Sequence, residues 1–476
     1  MKTPICKQVI PAHLISTFRG MDAERFRRLC FAAIEPAAFL FNAFPMMPPH
    51  HHVHMTPNLA LALATWLMLL VASAGVVHAA PQTARPADAF VESIGICTHL
   101  GYDKGPYGRI EDVIKPRLAE LGIRHLREGF VGASEGGDAN LTRKINDFAA
   151  LGYRFTLSMR QPMEKVTGYL KGVGQALDAV EGPNETDLSQ FKFSYKGLKF
   201  PEATRAYQED LYQLVKGFPD PKVSALPVIQ ASMGWGGNAK KLGDLSMFAD
   251  CGNTHAYTEA GDAHGSALGA WHLPHARIVT PGKPLWSTET GQSVNAVNAA
   301  VQAKVVPRIV AEHFRRGLVR TYLYELIDAE NSGGTAHGGF GLLDYEGTPR
   351  PSFHAIKNVL SLLKDPGAAF TPAALDYTLT GADAGGFKNV QSVLLQKRDG
   401  RFYLVIWQEV RGWNAKTKSV IENAPQAVTL TLKTAVKSAR LFSQDAAEPL
   451  ETKAAPSELT LKVPDSLMIV ELTPAS

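Results

Sequence analysis

From about residue 90 to residue 364, short apolar runs alternate with amphipathic stretches of helical period. The runs predict strands at Ser93–Thr98, Ile123–Phe130, Arg154–Met159, Ala179–Gly182, Ala225–Gln230, Asn253–Tyr257, Leu285–Glu289 and Thr321–Leu326. Between them, helices are predicted over Ile110–Leu121, Leu141–Leu151, Glu164–Leu177, Glu202–Lys216, Ala239–Phe248 and Ala296–Arg316, with a last one at Ser352–Leu363. The sixth crossover, Gly261 to Val279, is rich in Gly and His and reads as only weakly helical.

Strictly alternating strands and helices imply a parallel sheet. Eight such units suit an α/β architecture of the (β/α)₈ TIM-barrel kind, typically about 250 residues long. A doubly wound open sheet is the alternative. It would carry a Gly-rich phosphate turn after its first strand. Here that turn is Cys97-Thr98-His99-Leu100-Gly101-Tyr102, which cannot cradle a phosphate. Gly172-Val173-Gly174 is too short for the dinucleotide fingerprint.

A boundary falls at Lys364-Asp365-Pro366-Gly367. Beyond Leu375 the pattern becomes antiparallel, with strands at Phe402–Trp407, Ala427–Leu432 and Leu467–Leu472 and turn signals such as Arg398-Asp399-Gly400. The expected divisions are an uncertain leader or overextended start at 1–54, a signal peptide at 55–80, a barrel at 81–365 and a C-terminal antiparallel β-sandwich at 366–476. The sandwich is expected on the barrel flank, and sugar binding by it stays open, because Trp407 and Trp413 are equally explained by packing.

The signal peptide rests on the apolar run Leu59–Val77 and the small residues leading to Val77-His78-Ala79-Ala80. Cleavage near Ala80 predicts a secreted or periplasmic product, with no membrane contact after cleavage. The rival is a membrane anchor, for which the run is long enough. The tract His50-His51-His52-Val53-His54 looks metal-binding but lies upstream of the apolar run.

Composition narrows the function classes. Hydrophobic residues make up 45% and charged residues 20%, ordinary for a globular chain. Residues 1–54 hold six Lys/Arg and three acids, which is +3 of the net +4. The remainder is near neutral and offers no basic face for nucleic acid. Cys6 and Cys30 lie in the leader. Cys97 and Cys251 fall on strands placed far apart around the barrel, which favours two buried free thiols. No CxxC or HExxH spacing occurs, so neither a metal nor a cofactor is implied.

Barrel chemistry sits at the C-terminal ends of the strands. Strand two ends in Arg127-Glu128, strand four in Gly182-Pro183-Asn184-Glu185, strand six in His255-Ala256-Tyr257 and strand seven in Trp286-Ser287-Thr288-Glu289. Strand eight ends in Tyr324-Glu325, with Asp328 beyond. Strands four and seven face each other across the mouth. Glu185 and Glu289 are therefore the candidate carboxylate pair. Arg127 can supply positive charge, Tyr257 can donate to one carboxylate, and Asn184 can bind a substrate hydroxyl. Glu128, Glu325 and Asp328 are rival carboxylates, read as supporting partners or hydroxyl ligands. His99 either lines the pocket or satisfies loop carbonyls. Trp235 and Trp271 are candidate platforms for apolar ligand faces, with loop packing as the alternative. Trp286 is read as core. The loop 331–339 is read as a lid, a pocket wall or disorder. Asn184-Glu185-Thr186 matches a glycosylation sequon but is read as site sequence.

These residues resemble the clan of retaining (β/α)₈ glycosidases that includes glycoside hydrolase families 5 and 39. In that clan an Asn-Glu pair ends strand four and gives the acid/base, matched here by Asn184-Glu185. A Glu ending strand seven is the nucleophile, matched by Glu289. An Arg on strand two and a His-x-Tyr on strand six match Arg127 and His255-Ala256-Tyr257. The segments Phe340–Asp344 and Pro349–Ala355 look like the closing stretch of such barrels. One departure stands out: many clan members end strand eight with Trp, and this chain has Tyr322-Leu323-Tyr324-Glu325. The resemblance implies an exported retaining hydrolase acting on β-glycosidic bonds of a poly- or oligosaccharide. A non-catalytic glycan-binding barrel and a transglycosylase with the same glutamates are the alternatives. The sugar, exo or endo action and the oligomeric state are not legible.

Overall fold

The computed structural model describes residues 81–130, 137–330, 338–381 and 389–475. The leader, the signal-peptide candidate with its His tract, Cys6 and Cys30, and most of the 331–339 loop lie outside the described residues. Among the described residues, no helix is long and apolar enough to cross a membrane.

Eight parallel strands form one sheet: Ile94–Cys97, His125–Gly129, Arg154–Ser158, Leu177–Glu181, Val228–Ile229, Gly252–His255, Leu285–Thr290 and Thr321–Leu323. The first five pair in chain order, as do the last three, and the eighth pairs with the first. A parallel bridge between Ile229 and Cys251, with Gln230 N–H donating to the Cys251 carbonyl at 2.9 Å, links the fifth and sixth. The sheet is thus a nearly closed barrel, with each predicted strand in its predicted place. Its interior is packed by residues from opposite sides, including Ala179, Trp286 and Tyr322. Cys97 and Cys251 belong to the same cluster as buried free thiols.

Two crossovers depart from expectation. Over Ala239–Phe248 only Ala239–Leu242 is α-helical, and a 3₁₀ turn follows at Ser246–Phe248. Gly243, at φ 72°, breaks the helix between them. The sixth crossover is more helical than its composition suggests. His264–Ala267, Leu268–His272 and Leu273–Val279 run on as one helical stretch, with a π-type turn in the middle. Tertiary packing overrides propensity here. A Cβ on Gly265 would lie 2.7 Å from Glu312 Oε1, and one on Gly269 would lie 2.7 Å from Arg316 Nη1. The glycines let this helix sit directly on the helix Ala299–Arg315.

That second helix is buried nearly all round, polar Gln302, Arg308, Glu312 and His313 included, because it is covered on both sides. Val306, Val310 and Phe314 face the barrel. Val301, Val305 and Ile309 face Trp413 of the C-terminal region.

The C-terminal region is two facing sheets. The smaller holds Tyr377–Gly381, Gln426–Leu432 and Glu458–Val463. The larger holds Glu451–Ala454, Val436–Ser443, Met468–Pro474, Phe402–Gln408 and Val390–Gln396. Strand Phe402–Gln408 is buried throughout, and its period of two explains why. Phe402, Leu404 and Ile406 pack into the sandwich, whereas Tyr403, Val405 and Trp407 join the barrel's own core. Trp407 and Trp413 are both buried, so their rings serve packing.

The first described strands do not join the barrel sheet. Gln82–Thr83 pairs with Ala374–Leu375, and Arg85–Pro86 pairs in parallel with Leu395–Gln396 at the edge of the larger C-terminal sheet. Arg85 then stacks on Phe314 at 3.3 Å and donates to its carbonyl at 2.6 Å.

Candidate active site

The strand ends converge on a cavity of about 610 Å³, lined by Arg127, Asn184, Glu185, Tyr257, Glu289 and Tyr324 among others. The fourth strand delivers two of these through a tight turn. A Cβ on Gly182 would strike Gln208 Oε1 at 2.0 Å and the Ala231 backbone at 2.7 Å, so only glycine lets the fifth strand's end come this close. Three residues on, Glu185 takes a left-handed backbone, φ 45°, an unfavourable conformation for a non-glycine residue. Its N–H donates to Ser232 Oγ at 3.1 Å. Ser232 Oγ in turn donates to Asn184 Oδ1 at 3.1 Å.

Arg127 is the hub. Its guanidinium donates to Glu289 Oε1 (2.6 Å), to Asn184 Oδ1 (2.8 Å), and to both oxygens of Glu181 (2.6 and 3.0 Å). Tyr257 Oη donates to the other oxygen of Glu289 at 3.1 Å. Burial pushes the Glu289 carboxyl up, but His255 and Arg127 pull harder, and it ends below the ordinary range. Glu289 is therefore held ionised.

His255 bridges the two glutamates. Its Nδ1 lies 2.7 Å from Glu185 Oε1 and 3.6 Å from Glu289 Oε2, and its Nε2 lies 3.0 Å from Thr288 Oγ1. Burial pulls the His255 pKa down, yet the facing Glu289 and Glu185 outweigh it and raise it overall. Carboxylate oxygens of Glu185 and Glu289 and a ring nitrogen of His255 all lie within 4.8 Å of one another. Such a cluster has the spacing to approach a cation, but the guanidinium already on Glu289 opposes a second positive charge there.

The remaining candidates fall into two groups. His99 lines the cavity and stacks on Tyr102, with centroids 4.8 Å apart. Its Nε2 stands 3.2 Å from buried Glu325 Oε2, whose carboxyl is raised chiefly by burial. Tyr324 lines the cavity just beyond the eighth strand. Glu128 also lines the cavity, but its carboxylate is engaged by structure: it accepts from Leu100 N–H at 2.7 Å, Thr98 Oγ1 at 3.0 Å and Gly129 N–H at 3.1 Å. Asp328 is held by Arg350 at 2.6 Å and by Gly341 N–H at 2.7 Å. Trp286 is buried in the barrel core, as read. Thr186 of the sequon is buried against Thr204, 2.6 Å between hydroxyls.

Trp235 and Trp271 lie to one side, where they and His255, Tyr257 and His272 line a second cavity of about 420 Å³. Their centroids are 5.2 Å apart. The two cavities share Gly234, Tyr257 and Thr258. Asp187, two residues after Glu185, fixes the Trp235 loop by accepting from Gly234 and Trp235 N–H at 2.9 and 3.0 Å.

Sequence reasoning missed Glu181, Ser232, Thr288 and Phe340. Glu181 is fully buried and binds Arg127, Asn253 Nδ2 at 3.2 Å and Thr288 Oγ1 at 3.0 Å. A carboxylate inside the apolar run Leu177–Glu181 was the available signal, since such a charge needs a buried partner. Phe340 packs edge-on against Tyr257 and Tyr324, at 5.6 and 5.8 Å.

No protein-family model matches the chain, and no curated protein sequence does. Solved structures do. The chain is similar to a family 39 glycoside hydrolase from the gut symbiont Bacteroides cellulosilyticus WH2, at 14% identity over 82% of this chain and 81% of that one, TM-score 0.54. It is also similar to a glucosidase from Croceicoccus marinus, at 11% identity over 83% and 98% of the two chains, TM-score 0.52. At such identities the likeness is one of fold. The chain thus has the barrel-and-sandwich fold found in these glycoside hydrolases.

Proposed function

We propose that this chain is an exported retaining glycoside hydrolase acting on β-glycosidic bonds of an extracellular oligo- or polysaccharide. The observation that carries this reading is the approach of Glu185 and Glu289, with carboxylate oxygens within 4.8 Å. Double displacement places the two carboxyl groups about 5–5.5 Å apart, whereas direct displacement by water needs about 6.5–9.5 Å.

The environments divide the roles. Glu289 accepts from a guanidinium and a phenol and is kept charged, which suits attack on the anomeric carbon. Glu185 is bonded to His255, a residue of the side-cavity wall, and itself lines the central cavity. It protonates the departing oxygen, then takes a proton from the water that hydrolyses the glycosyl-enzyme. Asn184 is positioned for the hydroxyl next to the reacting carbon. Its Oδ1 is occupied by Arg127 and Ser232, and its Nδ2 has no partner among the described residues. His99 and Tyr324 form the wall for the sugar that becomes attached, with buried Glu325 behind His99. Trp235 and Trp271 form the wall for the part that leaves, where apolar sugar faces stack on aromatic rings. The apolar run before residue 81 supports export to the periplasm or medium.

The test is a screen of plant, fungal and bacterial β-glycans for new reducing ends. The first-formed product is then read by NMR for its anomeric configuration. Retained β configuration is expected. Release of the α-anomer first, or no cleavage of any glycan, would overturn the reading.

A further inference from the structure

The sixth barrel loop and its helix, residues 257–279, carry one wall of the side cavity, yet barrel residues alone do not hold them. A turn of the C-terminal sandwich grips them at four points. Glu409 is buried between the two parts: one oxygen accepts from Gly265 N–H at 3.1 Å, the other from Trp407 Nε1 at 2.8 Å. Arg411 makes an ion pair with Asp262. Gly412 N–H donates to the Gly261 carbonyl at 2.8 Å. Trp413 and helix residues Val301, Val305 and Ile309 form an apolar cluster against which Ala260 packs, itself a residue of the central cavity wall. The turn is fixed from behind by buried Arg308, which donates to the Gln408 and Val410 carbonyls at 2.9 Å each.

What the turn holds leads straight to the site. The helix that starts at the Glu409 contact presents Trp271 and His272 to the side cavity. His272 Nε2 lies 2.8 Å from the Tyr257 carbonyl, and Tyr257 reaches Glu289 through its hydroxyl. A carboxylate capturing the second N–H of a helix is a strong, directional anchor, because those first N–H groups have no partner within the helix.

We infer that the Gln408–Trp413 turn is a positioning element for the side cavity, and that through Glu409 and Arg411 the C-terminal sandwich sets the site's selectivity for the leaving portion of the substrate. The inference rests on the proposed function only in calling the occupant of the cavity a leaving group. Neither residue touches substrate.

The test compares two substrates that share the attached sugar and differ in what leaves. β-Glucosyl, xylosyl, galactosyl and mannosyl fluorides lose only fluoride and need no side cavity. The corresponding β-linked disaccharides need it. Glu409→Ala and Arg411→Ala are expected to lower kcat/KM on the disaccharide by about tenfold, chiefly through KM. The fluoride of the same sugar should stay within about twofold of wild type. Equal losses on both substrates, or no loss on either, overturn the inference. Arg411 is half exposed, so its variant is expected to fold even if Glu409→Ala does not.

If the wild-type enzyme cleaves none of these pairs, hydrogen exchange decides the inference alone, and the glycan screen decides the functional reading. Either variant should speed exchange of the amides of residues 265–272 and leave those of strand Leu285–Thr290 unchanged. Unchanged exchange at 265–272 overturns it.

Discussion

Nδ1 of His255 lies 2.7 Å from Oε1 of Glu185, so the two side chains share a proton. The second ring nitrogen faces Thr288 Oγ1, whose single hydrogen has Glu181 and Asn253 as acceptors. The hydroxyl therefore accepts from Nε2–H, and Nδ1 is left to exchange a proton with Glu185. His255→Asn should then behave like Glu185→Gln. Both should lose about 10²–10⁴-fold in kcat on poor leaving groups and far less on activated aryl glycosides. A Brønsted plot across a leaving-group series checks this. A slope that Glu185→Gln alters and His255→Asn does not would separate the two residues.

Azide distinguishes the roles of the glutamates. It is small enough to occupy the space of a deleted carboxylate. If the proposed roles hold, azide should attack in place of the carboxylate in Glu289→Ala and yield a glycosyl azide of inverted configuration. In Glu185→Ala it intercepts the glycosyl-enzyme and yields the retained azide. NMR of the two products is decisive, and exchanged outcomes would exchange the assignments.

Arg127 and the Glu289 charge are linked through pH. Burial opposes ionisation of Glu289, and His255 and then Arg127 overcome it. The carboxylate thus stays ionised to lower pH than an ordinary glutamate. Arg127→Met removes one of the two cations, so the Glu289 pKa rises and the acidic limb of kcat/KM moves to higher pH. The same change strands buried Glu181, at a cost of about 3–5 kcal/mol in stability. Denaturant melts and a pH–rate profile measure the two effects separately.

A buried histidine pair predicts a second pH effect, on stability alone. Nε2 of His264 lies 2.7 Å from Nε2 of His313, and both rings are buried. Burial and the neighbouring charges of His272, Arg308 and Arg316 depress the His264 pKa far below its ordinary value. Burial, His272 and Arg316 bring His313 to about 3. The unfolded chain protonates these rings near pH 6.5, and the folded chain does not. Stability is complete above about pH 6.5 and falls as pH drops toward 3, by about 1.4 kcal/mol per unit for each ring kept neutral. His313→Gln should flatten the slope of Tm against pH between 6.5 and 5. An unchanged slope would show that the pair does not govern it.

Most of the barrel was legible because its strands are short apolar runs between amphipathic helices, a signal that survives without tertiary information. Glu202–Lys216 was predicted to the residue for that reason. The sixth crossover was not, because its helicity depends on Gly265 and Gly269 fitting against Glu312 and Arg316, some 47 residues later in the chain. The carboxylate pair, Arg127 and Tyr257 were readable from their positions at strand ends. Glu181, Ser232 and Thr288 were not, since each acts through a partner brought near only by barrel closure. The attachment of residues 82–86 to the far sheet left no local trace at all.

That attachment constrains how the molecule can be made. Arg85 finds its partner Leu395 only 310 positions later, and the outer face of strand Phe402–Gln408 completes the barrel's own core. A chain emerging amino end first must keep strand Arg85–Pro86 and part of its barrel unfinished until residues beyond 395 have been delivered. Contacts of such long range slow folding and prolong exposure of apolar surface. The sandwich is therefore less a detachable module than the last piece of a single cooperative unit, and cutting it away would bare the apolar barrel surface that Tyr403, Val405 and Trp407 cover.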